Sequence, residues 1–553
     1  MSQVTNQPKV PNTYWPKNLT NRLIAPQTSV YDNLVVSTAR YPDQIAMIYY
    51  GQEINYTEFK RQVDYLAGYM QQQCDLKKGD RVLLFMQNSP QFMIAYYAIL
   101  ACGAVVVPIN PMSQPLELQH YISDTEATVA IAAQDIYHHL YADGNHVEHT
   151  IVACYRDFLP EQTDIYVPGF VADDYIEPSN EYCVAWRHAL RQELTPQVAH
   201  VNPDDLCVMP YTSGTTGNPK GTMHTHGSIQ VSVVNVLGWG YTGVPAAWVS
   251  LAVLPFFHVT GMQVMNCHVF MGATLVILSR WDRIASAQCI ERYEIASAAM
   301  VAPMVIDLLN DEELIQKYDL SSLVRLSGGG AAMPEAIADK LFKLAGIGYL
   351  EGYGMTETMA MATCNPPEHM KKQCLGIPVF ATKALVVEPG TTQLLPANEV
   401  GEILLSGPQN MTGYWKNPQA TAEVFVEIDG DKYIRTGDLG YYDEEGYFFL
   451  VDRLKRMINA SGFKVWPAEI ESFMYKNPDI KEVCVVAAKD PRRGETVKAV
   501  VVPRGAASDE LKEQIIAWCK ERMAAYKVPR IIEFTDALPK TGSGKVLWRQ
   551  LQG

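Results

Sequence analysis

The sequence has no CxxC pair, no surplus of basic residues, no internal repeat and no low-complexity tract. Its eleven cysteines are scattered singly, are odd in number and sit mostly in apolar runs. That argues against a zinc site or a disulfide framework and for reduced core thiols in a cytoplasmic protein. A net charge of −15 excludes general nucleic-acid binding, which needs a basic surface, and disfavours constitutive docking on anionic lipid. The one charge-free run long enough to suggest a membrane span, Phe92 to Ile109, is interrupted by Gly103 and ended by Pro108. It reads instead as a buried helix (Gln91–Cys102) followed by a short strand (Ala104–Val107), so no integral membrane segment is expected. The first residues carry no apolar core of a secretory signal. Peripheral membrane contact and a homodimer are left open.

A composition of 48% hydrophobic and 19% charged residues is that of a globular protein. The length of 553 residues exceeds one hydrophobic core and implies roughly three to four folding units. Up to about Asn202 helical and strand patterns alternate: Tyr56–Gln73 has helical spacing, and Asp80–Met86 reads as a strand before an Asn88-Ser-Pro helix start. Such alternation predicts α/β layers around a largely parallel sheet. Between Asp164 and Asn202 the periodicity fades, and an irregular loop is expected. The βα rhythm resumes from Pro203 to about Ile377, and beyond Gly376 short strands and Gly/Pro/Asn turns predict a small β-rich subdomain. A boundary is expected near Asp452. The fold class is thus α/β: a large N-terminal domain over residues 1–451, then a compact α+β domain over 452–553.

The densest local signal is Tyr211-Thr-Ser-Gly-Thr-Thr-Gly-Asn-Pro-Lys220-Gly221, entered from the apolar run Leu206-Cys-Val-Met. Small hydroxylated residues, glycines and one lysine suit a polyanion: glycine lets backbone N–H groups approach phosphate oxygens, hydroxyls donate, and Lys220 brings charge. The common P-loop spacing is absent, and Gly221 follows the lysine where that motif has Ser or Thr. Four more stretches accompany it: Glu351-Gly-Tyr-Gly-Met-Thr-Glu357-Thr, Tyr433-Ile-Arg-Thr-Gly-Asp438-Leu-Gly, Asp452-Arg453-Leu-Lys455 running on through Gly462 to Glu469, and Pro539-Lys-Thr-Gly-Ser-Gly-Lys545-Val.

Together the five, in this order, resemble the adenylate-forming superfamily of acyl-CoA synthetases, luciferases and adenylation domains, most closely bacterial medium- or long-chain fatty acid CoA ligases. The resemblance runs from about residue 30 to the C-terminus. It implies ATP, Mg²⁺ and coenzyme A as ligands, with a carboxylic acid activated as an acyl-adenylate and then passed to CoA. Thr212, Ser213, Gly214, Thr215, Thr216, Gly217 and Lys220 would hold the β- and γ-phosphates. Glu357 would hold Mg²⁺, with Thr212 beside it. Gly329, Gly330, Tyr353, Gly354 and Thr356 would form the adenine site, and Asp438 and Arg453 the ribose site. Lys545 would bridge the carboxylate and α-phosphate. Lys455 would be the hinge on which a mobile C-terminal domain swings to present either Lys545 or the Gly462 segment. His258, in Pro255-Phe-Phe257-His258-Val, would gate the acyl pocket.

Read alone, several of these residues have plainer roles. Tyr353 is equally a core aromatic, His258 a hydrogen-bonded core histidine, Glu357 a helix-start carboxylate and Asp438 a turn residue. Phe257-His258-Val259 supplies no carboxylate for an amino acid's ammonium, which favours an unsubstituted acid with an apolar tail. Alternatives are a ligase loading a carrier-protein phosphopantetheine and a CoA ligase for a short, branched or sulfur-containing acid. Lys527 and Arg530 are candidates for the CoA 3′-phosphate, or simply a solvated face.

Overall fold

The computed structural model describes residues 14–16, 19, 22–212, 219–240, 245–329, 333–460, 463–490, 494–540 and 546–552. They form two compact units, Tyr14–Lys383 with Ser406–Phe425, and Ala384–Leu405 with Val426–Gly553.

The larger unit is built on two nine-stranded sheets. In the first, the order runs from Tyr349–Tyr353 through Arg325–Gly328, Ser297–Ala299, Val249–Ala252 and Thr274–Ile277 to Ile45–Tyr49, all parallel. Short antiparallel strands close both edges. The second sheet is parallel from Leu206–Val208 to Cys183–Ala185, and Lys220–Thr225 and Gly413–Tyr414 add antiparallel strands at one edge. Neither sheet is contiguous in sequence. The first recruits Ile45–Asn55 to strands that come after residue 248, and the second joins residues 81–185 to 206–225 and 413–414.

The charge-free segment behaves as its punctuation dictates. Ser89 caps the helix Pro90–Ala101 by accepting from Phe92 N–H, and Pro90 occupies a first-turn position where its missing N–H costs nothing. Every residue of that helix is buried. Gly103 has φ +68°, the left-handed geometry that ends it, and the strand Val105–Pro108 comes next. A helix apolar all round belongs inside a large core. Among the described residues no helix is long and apolar enough to cross a membrane.

One expectation is corrected. Residues 164–202 are not a structureless loop: they hold the strand Cys183–Ala185 at a sheet edge and the helix Trp186–Arg191. Beyond that helix, Thr195 and Gln197 are tied to the helix Tyr56–Gln73, with Gln72 Nε2 donating to Thr195 O and Gln71 Nε2 to Gln197 O. These elements are too short for a periodic signal, and long-range hydrogen bonds hold them in place.

The smaller unit has two five-stranded sheets. One spans Lys383–Arg453 and is antiparallel along Gly401–Ser406, Asp431–Tyr442 and Phe448–Arg453. The other pairs Ile480–Asp490 with Gly494–Pro503 and, in parallel, Ile531–Phe534. Each sheet has its own apolar cluster, around Val387, Leu404 and Tyr433 and around Ile470, Val485, Val501 and Ile515.

Candidate active site

The loop predicted to cradle phosphates is clamped at its base. Lys220 pairs with Thr212 and Gly221 with Tyr211 across an antiparallel step, so the two ends of the stretch are held side by side. Ser213, Gly214, Thr215, Thr216 and Gly217 themselves lie outside the described residues, as do Gly330, Gly462 and Lys545.

Next to Lys220 on the sheet edge lies Gly413–Tyr414, with Thr222 opposite Tyr414. The Lys220 ammonium sits 5.1 Å from the Tyr414 ring centroid, within cation–π range. The Tyr414 hydroxyl donates to Glu357 Oε1 at 2.8 Å. One tyrosine therefore holds the cation predicted for phosphate and the carboxylate predicted for the metal. Its phenol is kept protonated, because burial first and then the neighbouring Glu357 charge push its pKa well up.

Glu357 lies in the short turn Thr356–Thr358, four residues past the first-sheet strand Tyr349–Tyr353. Its carbonyl accepts from Met411 N–H at 2.8 Å, and Thr356 O is bonded by His224 Nε2 at 2.8 Å. His224 is fully buried, and desolvation lowers its pKa to about 4, so it is neutral here and donates from Nε2. Among the described residues no group of three His, Cys, Asp or Glu could cage a metal. A single buried carboxylate fits Mg²⁺, which takes one or two protein carboxylates and fills its shell with phosphate oxygens and water.

The predicted adenine-site residues line up along strand ends. Tyr353 is half-buried at the end of its strand, and its carbonyl accepts from Ala362 N–H. A Cβ on Gly354 would lie 1.3 Å from Ala360 O, and one on Gly329 would lie 2.5 Å from Gly352 O. Both glycines are thus demanded by backbone packing, whatever else they admit.

A cavity of about 60 Å³ joins these parts to the predicted acyl gate. Phe257, His258 and Val259 line it together with Pro108, Ile109, Tyr211 and Thr356. His258 stands at the N-terminus of the helix Val259–Met271. A second, narrower apolar void lies beside Phe256, Val264 and Ala299.

In the smaller unit, Asp438 and Arg453 are cross-strand partners whose Oδ1 and Nε are 3.1 Å apart. The carboxylate is buried and the guanidinium 57% exposed. Beside Lys455, Asp452 accepts from Arg453 N–H and Ala468 N–H, and the half-buried Arg456 pairs with Glu471. Burial raises the pKa of both Asp452 and Glu471, and Arg456 opposes it. Lys527 is engaged by Glu469 at 2.5 Å.

Sequence reasoning missed Tyr414 and His224. The first sits in a Gly-Tyr-Trp stretch that reads as a turn, and its partner Thr222 is 192 positions away.

Comparison with known proteins bears on the whole arrangement. Residues 34–415 match the family model "AMP-binding enzyme", and residues 469–545 match "AMP-binding enzyme C-terminal domain". A long-chain-fatty-acid–CoA ligase of Bacillus subtilis (strain 168) is 34% identical over 97% of this chain and 96% of its own. A feruloyl-CoA synthase of an Amycolatopsis species is 33% identical over 92% and 95%. The crystal structure of ATP-bound MatB from Rhodopseudomonas palustris superposes with a TM-score of 0.80 at 26% identity, over 94% of this chain and 98% of that one. On these matches, the chain belongs to the AMP-binding enzyme family of adenylate-forming ligases.

Proposed function

We propose that the protein is an AMP-forming acyl-CoA synthetase for fatty or similarly apolar carboxylic acids. A carboxylate oxygen attacks the α-phosphorus of ATP and pyrophosphate leaves; the CoA thiolate then attacks the acyl carbonyl and AMP leaves. The observation that carries the substrate class is the cavity lining, which sets Pro108, Ile109, Phe257 and Val259 among neutral polar side chains such as Asn110 and Tyr121 and contains no Asp, Glu, Lys or Arg to pair with an ammonium or a second carboxylate. The naming of the Bacillus relative agrees with this reading.

The first step brings two anions together, so neutralising and aligning them is the main catalytic demand. We assign charge neutralisation to Lys220 and, when bound, to Mg²⁺ held by Glu357. The Tyr414 hydroxyl orients the Glu357 carboxylate through its 2.8 Å hydrogen bond. We assign the ribose hydroxyls to Asp438 and Arg453, the α-phosphate to Lys545, and the exchange of half-reactions to a swing at Lys455 of the domain beginning near residue 452. All eleven cysteines are free thiols, ten of them buried, which supports a cytoplasmic location.

The deciding experiment is pyrophosphate release with ATP and Mg²⁺ across straight, branched and aromatic acids, followed by thioester formation with CoA or a pantetheinylated carrier. The reading predicts release with straight acids and transfer to CoA. Release with aromatic acids alone would remove the fatty-acid assignment, and transfer to the carrier alone would remove the CoA assignment.

A further inference from the structure

The closely packed apolar pocket beside Phe256, next in sequence to the gate residue Phe257, has a floor of a different chemistry. Its walls include Ala252 and Ala299 on neighbouring strands and Val264 on the helix Val259–Met271. One layer deeper, each wall element turns polar. Ser250 lies two residues before Ala252, Ser297 two before Ala299, and His268 one turn past Val264. Ser250 and Ser297 are in-register partners. Two strand residues rise about 6.6 Å and four helical residues about 6 Å, so the three side chains reach one level. Of the wall residues Val264 and Ala299 are half-buried and Ala252 is buried, and Ser250, Ser297 and His268 below them are 1–3% exposed.

This layer is saturated. The Trp248 indole N–H can only donate, and it donates to Ser297 Oγ at 2.7 Å. Ser297 must then give its proton to Ser250, and Ser250 gives its own to His268 Nε2 at 2.6 Å. His268 Nδ1–H closes the chain on Val264 O, an acceptor only, at 2.7 Å. The direction is fixed at both ends and requires a neutral imidazole, which burial enforces by lowering its pKa to about 4. Every hydrogen-bonding atom in this relay is occupied, so the layer offers a tail no polar partner and resists being pushed aside. Breaking one buried hydrogen bond costs about tenfold, more than the roughly fourfold gained by burying one more methylene.

Resting on the fatty-acid reading above, we propose that Ser250, Ser297 and His268 form the floor of the acyl groove and set the longest acid accepted. The helix rises about 14 Å from its start at Val259 to the level of His268, the extended length of roughly ten to twelve carbons for a tail lying along its Val264 face.

The test is the rate of pyrophosphate release with straight acids of about four to about eighteen carbons. The wild-type protein should lose at least about tenfold in kcat/KM between twelve and sixteen carbons; a level profile through sixteen would overturn the floor. The double variant Ser250→Ala/His268→Ala removes the imidazole and the hydroxyl it would orphan, and its cutoff should move two to four carbons longer. Val264→Phe, one turn above, should move it about four carbons shorter, and it decides the matter if the double variant does not fold. Cutoffs unmoved in the folded variants refute the proposal while leaving the fatty-acid reading intact. No release with any straight acid would remove that reading, and the floor with it.

Discussion

Tyr414→Phe is the sharpest probe of the phosphate end of the site, because it deletes one atom and leaves the ring that faces Lys220. The lost interaction is a 2.8 Å hydrogen bond from the phenol to Glu357 Oε1 on a carboxylate that is 6% exposed. Hydrogen bonds to charged groups contribute about 1.5–3 kcal/mol, which corresponds to roughly ten- to hundredfold. That loss should appear where the carboxylate acts: kcat/KM for ATP falls about tenfold or more at limiting Mg²⁺, and the Mg²⁺ concentration for half-maximal rate rises. The KM for the acid should change less than about twofold, since no part of that bond lines the acyl cavity. Tyr414→Leu also removes the 5.1 Å cation–π contact and should cost a further few-fold. The assay is steady-state pyrophosphate release on a grid of ATP and Mg²⁺, with melting temperature as the control for folding. A Tyr414→Phe protein with wild-type Mg²⁺ dependence would refute the idea that this phenol orients Glu357.

The other predictions separate the remaining parts. Lys545→Ala should abolish acyl-adenylate formation and spare thioester synthesis from supplied acyl-adenylate; equal loss of both half-reactions contradicts a two-orientation cycle. Asp438→Ala should raise the KM for ATP with little change in melting temperature, because its partner Arg453 is 57% exposed and such a pair contributes at most about 1 kcal/mol; an unchanged ATP dependence takes it out of the nucleotide site. Acid should destabilise the fold through His224, His226 and His268, each held near pKa 4, below the ordinary 6.5, chiefly by burial. The unfolded chain binds these protons first, so stability is complete above pH 6.5 and falls toward pH 4, by on the order of 3 kcal/mol per histidine; a melting temperature level over that window contradicts the neutral buried state.

Local chemistry was legible in the sequence and long-range pairing was not. The helix Tyr56–Gln73 has the bounds its spacing predicts, and the break at Gly103 and Pro108 was readable because glycine and proline act within a residue or two. The strand Ile480–Asp490 runs past its apolar stretch Val483–Ala488 into Lys489 and Asp490, since ladder pairing with Gly494–Pro503 continues after the core stops. Cys183–Ala185 carries too few residues for any period and exists because an edge of the second sheet was open. The same division holds at the site. Lys220 and Glu357 are conspicuous in glycine-rich motifs, whereas Tyr414, which holds both, looks like a turn aromatic until Gly413–Tyr414 is paired with Thr222–Met223.

That pairing explains why the site lies where it does. Glu357 is carried on the chain leaving the first sheet, and Lys220 and Tyr414 stand on the edge of the second. The two sheets are stitched at this point by His224 to Thr356 O, Met411 N–H to Glu357 O, Ser232 Oγ to Met359 O and Tyr414 to Glu357. Three of the four bonds end on backbone carbonyls of residues 356–359, with donors from the strand Lys220–Thr225, the helix His226–Gly240 and the segment before Gly413, so the turn bearing the carboxylate is anchored from outside its own strand. A carboxylate anchored in this manner suits the role proposed for Glu357, since a group that stays in place as charge develops supplies preorganisation. The same economy makes the joint fragile. His224→Ala would leave Thr356 O unpaired in a buried place and lower stability and activity together, so a loss of activity in that variant says nothing of catalysis. Only changes that delete a side-chain bond while sparing the backbone stitches, as Tyr414→Phe does, can tell the chemistry of this corner from its architecture.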